Sequence, residues 1–426
     1  MQSPAVAWCP KSRVPSTVGR ETMTEAKLDD ARILIYSHDT FGLGHLRRCR
    51  TIAHTLVEHF KGLRVLIVSG SPIIGSFDFK ARVDFVRIPG VVKLRGGDYT
   101  ALSSHTDLTQ TLQMRSSIIE QTAKTFAPDL LIVDKEPLGL RGEVKPTIEL
   151  LRAQGGRTVL GLRDIMDDPV LLRQEWTNRG IPMDLERLYD EIWVYGVPAM
   201  GDPLLGIDIS PAARARMVYT GYLERHLPEM ARNSVEVPEE PFLLVTPGGG
   251  GDGETLVDWV LRACEEHARP DLHLLIALGP FMSQSRRFSF ERRAAALEQV
   301  QTLTFHPNIE LLIARAAGIV AMGGYNTFCE ILSLDKRALL VPRSMPRMEQ
   351  TLRARRAEEL GLIDMLQGDG DRSSDVMARA LQSLGHRPLP SSEGGLELLS
   401  GVAEVRNRVQ ALLTVRDGPL LKSVAR

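Results

Sequence analysis

Short apolar runs alternate with helical stretches along most of this chain, and that rhythm limits the folds open to it. ARILIYS (31–37), RVLIVSG (64–70), VDFVRIPG (83–90), DLLIVDKEP (129–137), RTVLGLRD (157–164), EIWVYG (191–196) and RMVYTGYL (216–223) read as buried strands. Between them lie amphipathic stretches such as TDLTQTLQMRSSIIEQTAKTF and EVKPTIELLRAQGG. Strand–helix alternation of this kind predicts a parallel sheet wound on both faces, with ligands beyond the carboxyl ends of the strands.

Near Leu223 the rhythm stops. ERHLPEMARNSVEVPEEP is charged, holds three prolines and shows no apolar period, so it reads as a linker. FLLVTPGGGGDG then restarts the pattern, which runs through LHLLIALGP, a basic helix around 286–300 and TLTFHPN. The expected class is α/β, with two Rossmann-like doubly wound parallel-sheet domains facing a cleft. The expected boundaries are a tail over 1–29, domains over 30–223 and 241–385 joined by 224–240, and a C-terminal helix and tail over 386–426. A chain of 426 residues suits two cores.

Composition removes several classes of partner. A formal net charge of −1 and 5% aromatic residues argue against nucleic acid. Cys9, Cys49, Cys264 and Cys329 show no CxxC or Cys/His spacing, which suits free thiols in a reducing compartment and no metal. No apolar run reaches the length of a membrane span, and residues 1–29 lack the apolar core of a signal peptide. The expected location is the cytoplasm.

The densest chemistry lies between Gly318 and Leu360. GIVAMGG reads as a strand ending in Gly323-Gly324, and YNTFCEILSL as the helix it feeds. Paired glycines let the backbone approach an anion, and the free amides of the first helical turn face it. Glu330, a turn further on, would repel phosphate but suits a vicinal diol such as a ribose. Thr327-Phe328-Cys329-Glu330 also fits a capping box, so these four residues alone leave both readings open. Glu349-Gln350 follows the next strand.

Two further turns have the same character. Gly42-Leu43-Gly44-His45 joins the first strand to a helix. It lacks the third glycine of a dinucleotide fingerprint, no acid ends the next strand, and GxxxxGK[ST] is missing. A histidine in the opening of a helix is kept neutral by the dipole and suits a base, although such a residue is often structural. Thr246-Pro247-Gly248-Gly249-Gly250-Gly251 is the third turn, read either as an anion cradle or as a flexible loop. At the ends of the first-half strands stand His38 and Asp39, Asp134 and Glu136, and Arg163 and Asp164. Asp39 would orient His45, bind acceptor or cap the turn; Asp134, Glu136, Arg163 and Asp164 are acceptor contacts or solvated loop charges. Arg47-Arg48-Cys49-Arg50 reads as a solvated helix face from which one arginine could reach a phosphate.

The run GGYNTFCEILSLDKRALLVPRSMPRMEQTLRA resembles the C-terminal sugar-nucleotide signature of MurG-type glycosyltransferases, without a gap from Gly324 through Thr327 and Glu330 to Gln350. The likeness covers roughly residues 31–385 and implies the two-Rossmann-domain (GT-B) fold. It implies an inverting, metal-independent hexosyl transfer from a UDP-sugar with no cofactor. The acceptor would be lipid-linked or a glycan, at the inner membrane face in the lipid-linked case. Donor contacts carried over are Gly42, Gly44, Gly248, Gly249, Gly250, Phe305, His306, Gly323, Gly324, Asn326, Thr327, Glu330, Glu349 and Gln350. At Phe305-His306 the contact is through main chain, to uracil. His45 becomes the general base with Asp39 beside it, and Asp134, Glu136 and Arg163 the acceptor contacts. Two departures stand out: Glu349 replaces a Gln, and the glycine-rich turn at 248–251 lacks a serine. SPIIGSFDF (71–79) offers Ile73, Ile74, Phe77 and Phe79 as either a membrane contact or core. A nucleotide-sugar hydrolase or epimerase on the same fold, and a non-catalytic sugar-nucleotide sensor, are the alternative functions.

Overall fold

The computed structural model describes residues 28, 30–38, 44–93, 99–102, 107–227, 238, 240–249, 251–267, 272–306, 308–370 and 372–414. The expected contacts Asp39, Gly42 and Gly250 lie outside these residues.

Two parallel sheets organise the chain. The first contains β1 (Arg32–Ser37), β2 (Arg64–Ser69) and β3 (Val83–Arg87), while β4 (Val91–Lys93) and β5 (Tyr99–Ala101) form a separate antiparallel pair. It continues with β6 (Leu130–Asp134), β7 (Arg157–Arg163), β8 (Glu191–Tyr195) and β9 (Met217–Tyr219), in the order β3-β2-β1-β6-β7-β8-β9. The second sheet holds β10 (Phe242–Thr246), β11 (His273–Ala277), β12 (Val300–Leu303), β13 (Gly318–Ala321), β14 (Ala338–Leu340) and β15 (Asp364–Met365). Its order is β12-β11-β10-β13-β14-β15. In both sheets the order reverses beside the first strand, between β1 and β6 and between β10 and β13. Those switch points are where open α/β sheets bind ligands.

The helices follow the crossovers: α1 (Gly44–His59), α2 (Leu108–Phe126), α3 (Lys145–Ala153), α4 (Pro169–Asn178), α5 (Ile181–Leu188) and α6 (Pro211–Ala215) in the first half. In the second come α7 (Glu254–Glu266), α8 (Gln284–Ala294), α9 (Ile309–Arg315), α10 (Tyr325–Ser333), α11 (Glu349–Glu359), α12 (Ser374–Leu384) and α13 (Gly401–Thr414). Strands β6 and β10 are buried along their whole length, as sheets covered on both faces require. The closing helix α13 returns to the first half, where Val405 and Val409 share a core cluster with Ile52, Leu56 and Val57 of α1. Arg408 also pairs with Glu191 of β8.

The same apolar cluster runs through both halves. Tyr222, at the end of the first, meets Tyr325 and Phe328 of α10 with ring centroids 5.9 and 5.2 Å apart. The cleft is therefore closed at its base by core packing. Of the apolar segment 71–79, Ile74 is buried and Phe77 and Phe79 pack against this core. Among the described residues no helix is long and apolar enough to cross a membrane.

Candidate functional site

A cavity of about 570 Å³ lies between the two sheets and takes its walls from both halves. One wall holds His38, His45, Lys135, Glu136 and Arg163; the other holds Gly248, Gly249, Gly324, Thr327, Glu330 and Glu349. Both switch points thus open into one space. Phe305, His306, Asn326 and Gln350 also line it.

Helix α1 starts at Gly44, so His45 occupies its first turn. The imidazole Nδ1 lies 2.5 Å from Asp134 Oδ2. Arg48 clamps the same carboxylate with both ends of its guanidinium, Nε to Oδ1 and Nη2 to Oδ2 at 2.7 Å each. Burial lowers the pKa of His45 and the Asp134 carboxylate only partly offsets it. Asp134 itself is buried, yet Arg48 and then His45 pull it below the usual carboxylate range. A neutral imidazole hydrogen-bonded through Nδ1 to a fixed carboxylate leaves Nε2 as the basic atom. Asp134, expected to touch acceptor, has both oxygens taken up in this way. The glycine turn singles out His45, whereas its partner Asp134 lies 89 residues on and reads in the sequence as an acceptor contact or a loop charge.

Arg47 and Arg48 correct the reading of their helix face as solvated. Arg48 is 2% exposed. Arg47 crosses the cleft, its Nη2 2.7 Å from Glu330 Oε1 and 3.0 Å from Glu310 Oε1. His38 is buried beside His45, ring centroids 5.6 Å apart, with burial pushing its pKa down to about 3.

On the far wall, Gly323 and Gly248 both take a left-handed φ of 76°, a conformation that favours glycine. Gly324 is the N-cap of α10, with no side chain capping the helix. The capping-box alternative therefore falls: Thr327 lies inside α10, and Glu330 is 1% exposed with its carboxylate on Arg47. Asn326 spends its side chain between the halves, donating to Gly44 O at 2.9 Å and accepting from Arg225 Nη2 at 2.8 Å. Glu349 opens α11; Arg343 Nη2 donates to its Oε1 at 3.0 Å, while Oε2 is buried with no hydrogen-bond partner among the described residues. Gln350 Oε1 accepts from Arg343 N at 3.3 Å. Glu136 pairs with Arg179 at 3.2 Å.

Below the cavity, Arg353 of α11 makes a bidentate pair with Asp164, Nε to Oδ2 at 2.7 Å and Nη2 to Oδ1 at 2.5 Å, both residues fully buried. Its Nη1 also donates to Gly323 O at 3.1 Å. Beside it, Asp167 accepts from Arg347 Nη1 and Met348 N at 3.0 and 2.8 Å. Nothing in the sequence pairs these partners with one another across the halves.

The two sheets and the shared cleft make this a GT-B fold. Residues 242–370 match the model of the glycosyltransferase family 28 C-terminal domain. Among solved structures, a UDP-glucosyltransferase from Polygonum tinctorium capable of glucosylating indoxyl superposes with a TM-score of 0.62 at 15% identity, over 91% of this chain and 99% of that one. MurG from Acinetobacter baumannii gives 0.52 at 14% identity, over 90% and 98%. A putative UDP-N-acetylglucosamine 2-epimerase from Listeria monocytogenes gives 0.58 at 12%, over 91% and 96%. No curated sequence matches the chain. The resemblance to MurG-type enzymes thus extends to a family match over residues 242–370 and to the fold, and the family match supports glycosyl transfer in general.

Proposed function

We propose that the protein is an inverting glycosyltransferase that moves a sugar from a UDP-sugar to an acceptor hydroxyl. The observation that carries this reading is that the His45–Asp134 pair opens on the same cavity as Gly248, Gly249, Gly324 and Glu330. A base that faced another space could not serve the donor.

In this reading the diphosphate lies against the glycine turn at 248–249 and the uncapped amides that start α10, which stabilise the charge that develops as it departs. Glu330 receives the ribose hydroxyls, and Glu349 and Gln350 orient the sugar. His45 Nε2 takes the acceptor proton; the acceptor oxygen bonds to the anomeric carbon as the bond to the UDP oxygen breaks. Asp134 stabilises the imidazolium that forms. Attack opposite the leaving group inverts the centre.

Thermal-shift and turnover measurements with UDP and UDP-sugars test this. UDP is expected to raise the melting temperature by binding the native state, and UDP-sugar alone to release sugar slowly. Rapid release without acceptor would make the enzyme a hydrolase. No response to any nucleoside diphosphate would sink the reading.

A further inference from the structure

Nearly every cation around the cavity already has a carboxylate at hydrogen-bond distance. Arg48 has Asp134, Arg353 has Asp164, Arg47 has Glu330, Arg343 has Glu349, and Arg347 has Asp167. Two do not. Lys135 is 9% exposed, and among the described residues its one carboxylate neighbour within 4 Å, Glu136 Oε1, is 3.8 Å away. Arg163 makes no side-chain hydrogen bond or ion pair among the described residues, and its Nε is buried without a partner. Both line the cavity, from the ends of adjacent strands β6 and β7. Burial lowers Lys135 to about 8 and Arg163 to about 10, so both are charged at neutral pH. Glu136 and Glu349 attract these charges without bonding to them at hydrogen-bond distance, so a bound anion would supply the direct partner each cation lacks.

We infer that Lys135 and Arg163 form a subsite for an anionic group, phosphate or carboxylate, on the acceptor. This deepens the glycosyltransferase reading and rests on it. Two features assign the anion to the acceptor. The two cations stand on the His45 wall, Lys135 directly following the Asp134 that holds the imidazole. The donor's diphosphate is served by the glycine turns opposite.

The test uses simple probes on the full chain, with and without saturating UDP: glucose, glucose 6-phosphate and glucuronate, read by melting temperature and titration. One or both anionic sugars are expected to bind at least about tenfold more tightly than glucose, and the stronger one identifies the anion. Lys135→Gln and Arg163→Gln are each expected to remove that preference while UDP affinity stays within about twofold, and Arg163→Lys to retain part of it. Circular dichroism of each variant establishes that it is folded. Equal binding of glucose and both anions would overturn the inference. So would a parallel loss of UDP affinity in the Gln variants, since the cations would then belong to the diphosphate. If UDP fails to bind the wild type while the Lys135-dependent preference persists, the donor reading falls and this subsite stands.

Discussion

Arg47 Nη2 stands 2.7 Å from Glu330 Oε1 across the cleft, so the acid assigned to the donor's ribose is already held by a cation from the other half. The ribose must compete with this guanidinium or share the carboxylate with it. Hydrogen bonds to a charged group contribute about 1.5–3 kcal/mol, roughly 10- to 100-fold in affinity. Glu330→Ala is therefore expected to weaken UDP by about that factor, while pyrophosphate, which has no ribose, changes by less than about twofold. Calorimetric titration of both ligands decides it. Equal losses would move Glu330 out of the ribose site.

Asp134 fixes His45 from beneath, and its removal should damage the chemical step more than binding. Asp134→Asn is expected to lower kcat by about 10²- to 10⁴-fold with little change in KM for the donor. The wild-type pH profile provides a second reading. His45 must be neutral to accept a proton, and burial holds its pKa below 6.5. Activity should then rise with pH through a midpoint under 6.5 and stay level toward neutrality. Losing the carboxylate that raises this pKa should shift the midpoint lower still in the Asn variant. An acid limb centred above 6.5 would contradict the assignment.

The parts legible in the sequence are those with a short-range period. Continuous apolar runs of four residues, LLIV in β6 and FLLV in β10, mark the central strands, and GIVAMGG followed by a helix marks the second switch point. Strands β4 and β5, three residues each, are too short to carry a period. The joints across the cleft were hidden for another reason: their partners are far apart in the chain, 189 residues for Asp164 and Arg353. A faint signal existed. Arg48 is in helical phase with Ile52 and Leu56, and Arg353 with Ala357, so each arginine sits on the buried stripe of its helix. A cation in that phase must bring a buried partner with it.

Gly324 separates folding from ligand binding. A Cβ added there would meet nothing within 4 Å, and the residue lines the cavity at the start of α10. Gly324→Val should therefore cost the native state no more than a poorer N-cap, about 1 kcal/mol. Its methyl groups would fill the space where the diphosphate approaches the helix amides, so UDP affinity should fall by more than about tenfold. A stable variant that binds UDP normally would remove the diphosphate from this turn.

The Arg353–Asp164 pair makes the sharpest prediction about how the halves are coupled. Both side chains are fully buried, and Asp164 also accepts from Tyr222 at 2.7 Å. Arg353→Met would leave that carboxylate buried beside a hydroxyl alone, which costs about 3–5 kcal/mol. Asp164→Leu with Arg353→Met removes both charges, and should recover most of the loss because well-packed apolar side chains can replace a buried pair. Urea denaturation of the three proteins measures this directly. The ligand response should not recover with it. Arg353 also holds Gly323 O at 3.1 Å, so the double variant regains stability while the glycine turn stays unanchored, and its UDP affinity should remain below wild type. If UDP affinity returns together with stability, Arg353 joins the two halves without setting the geometry of the turn.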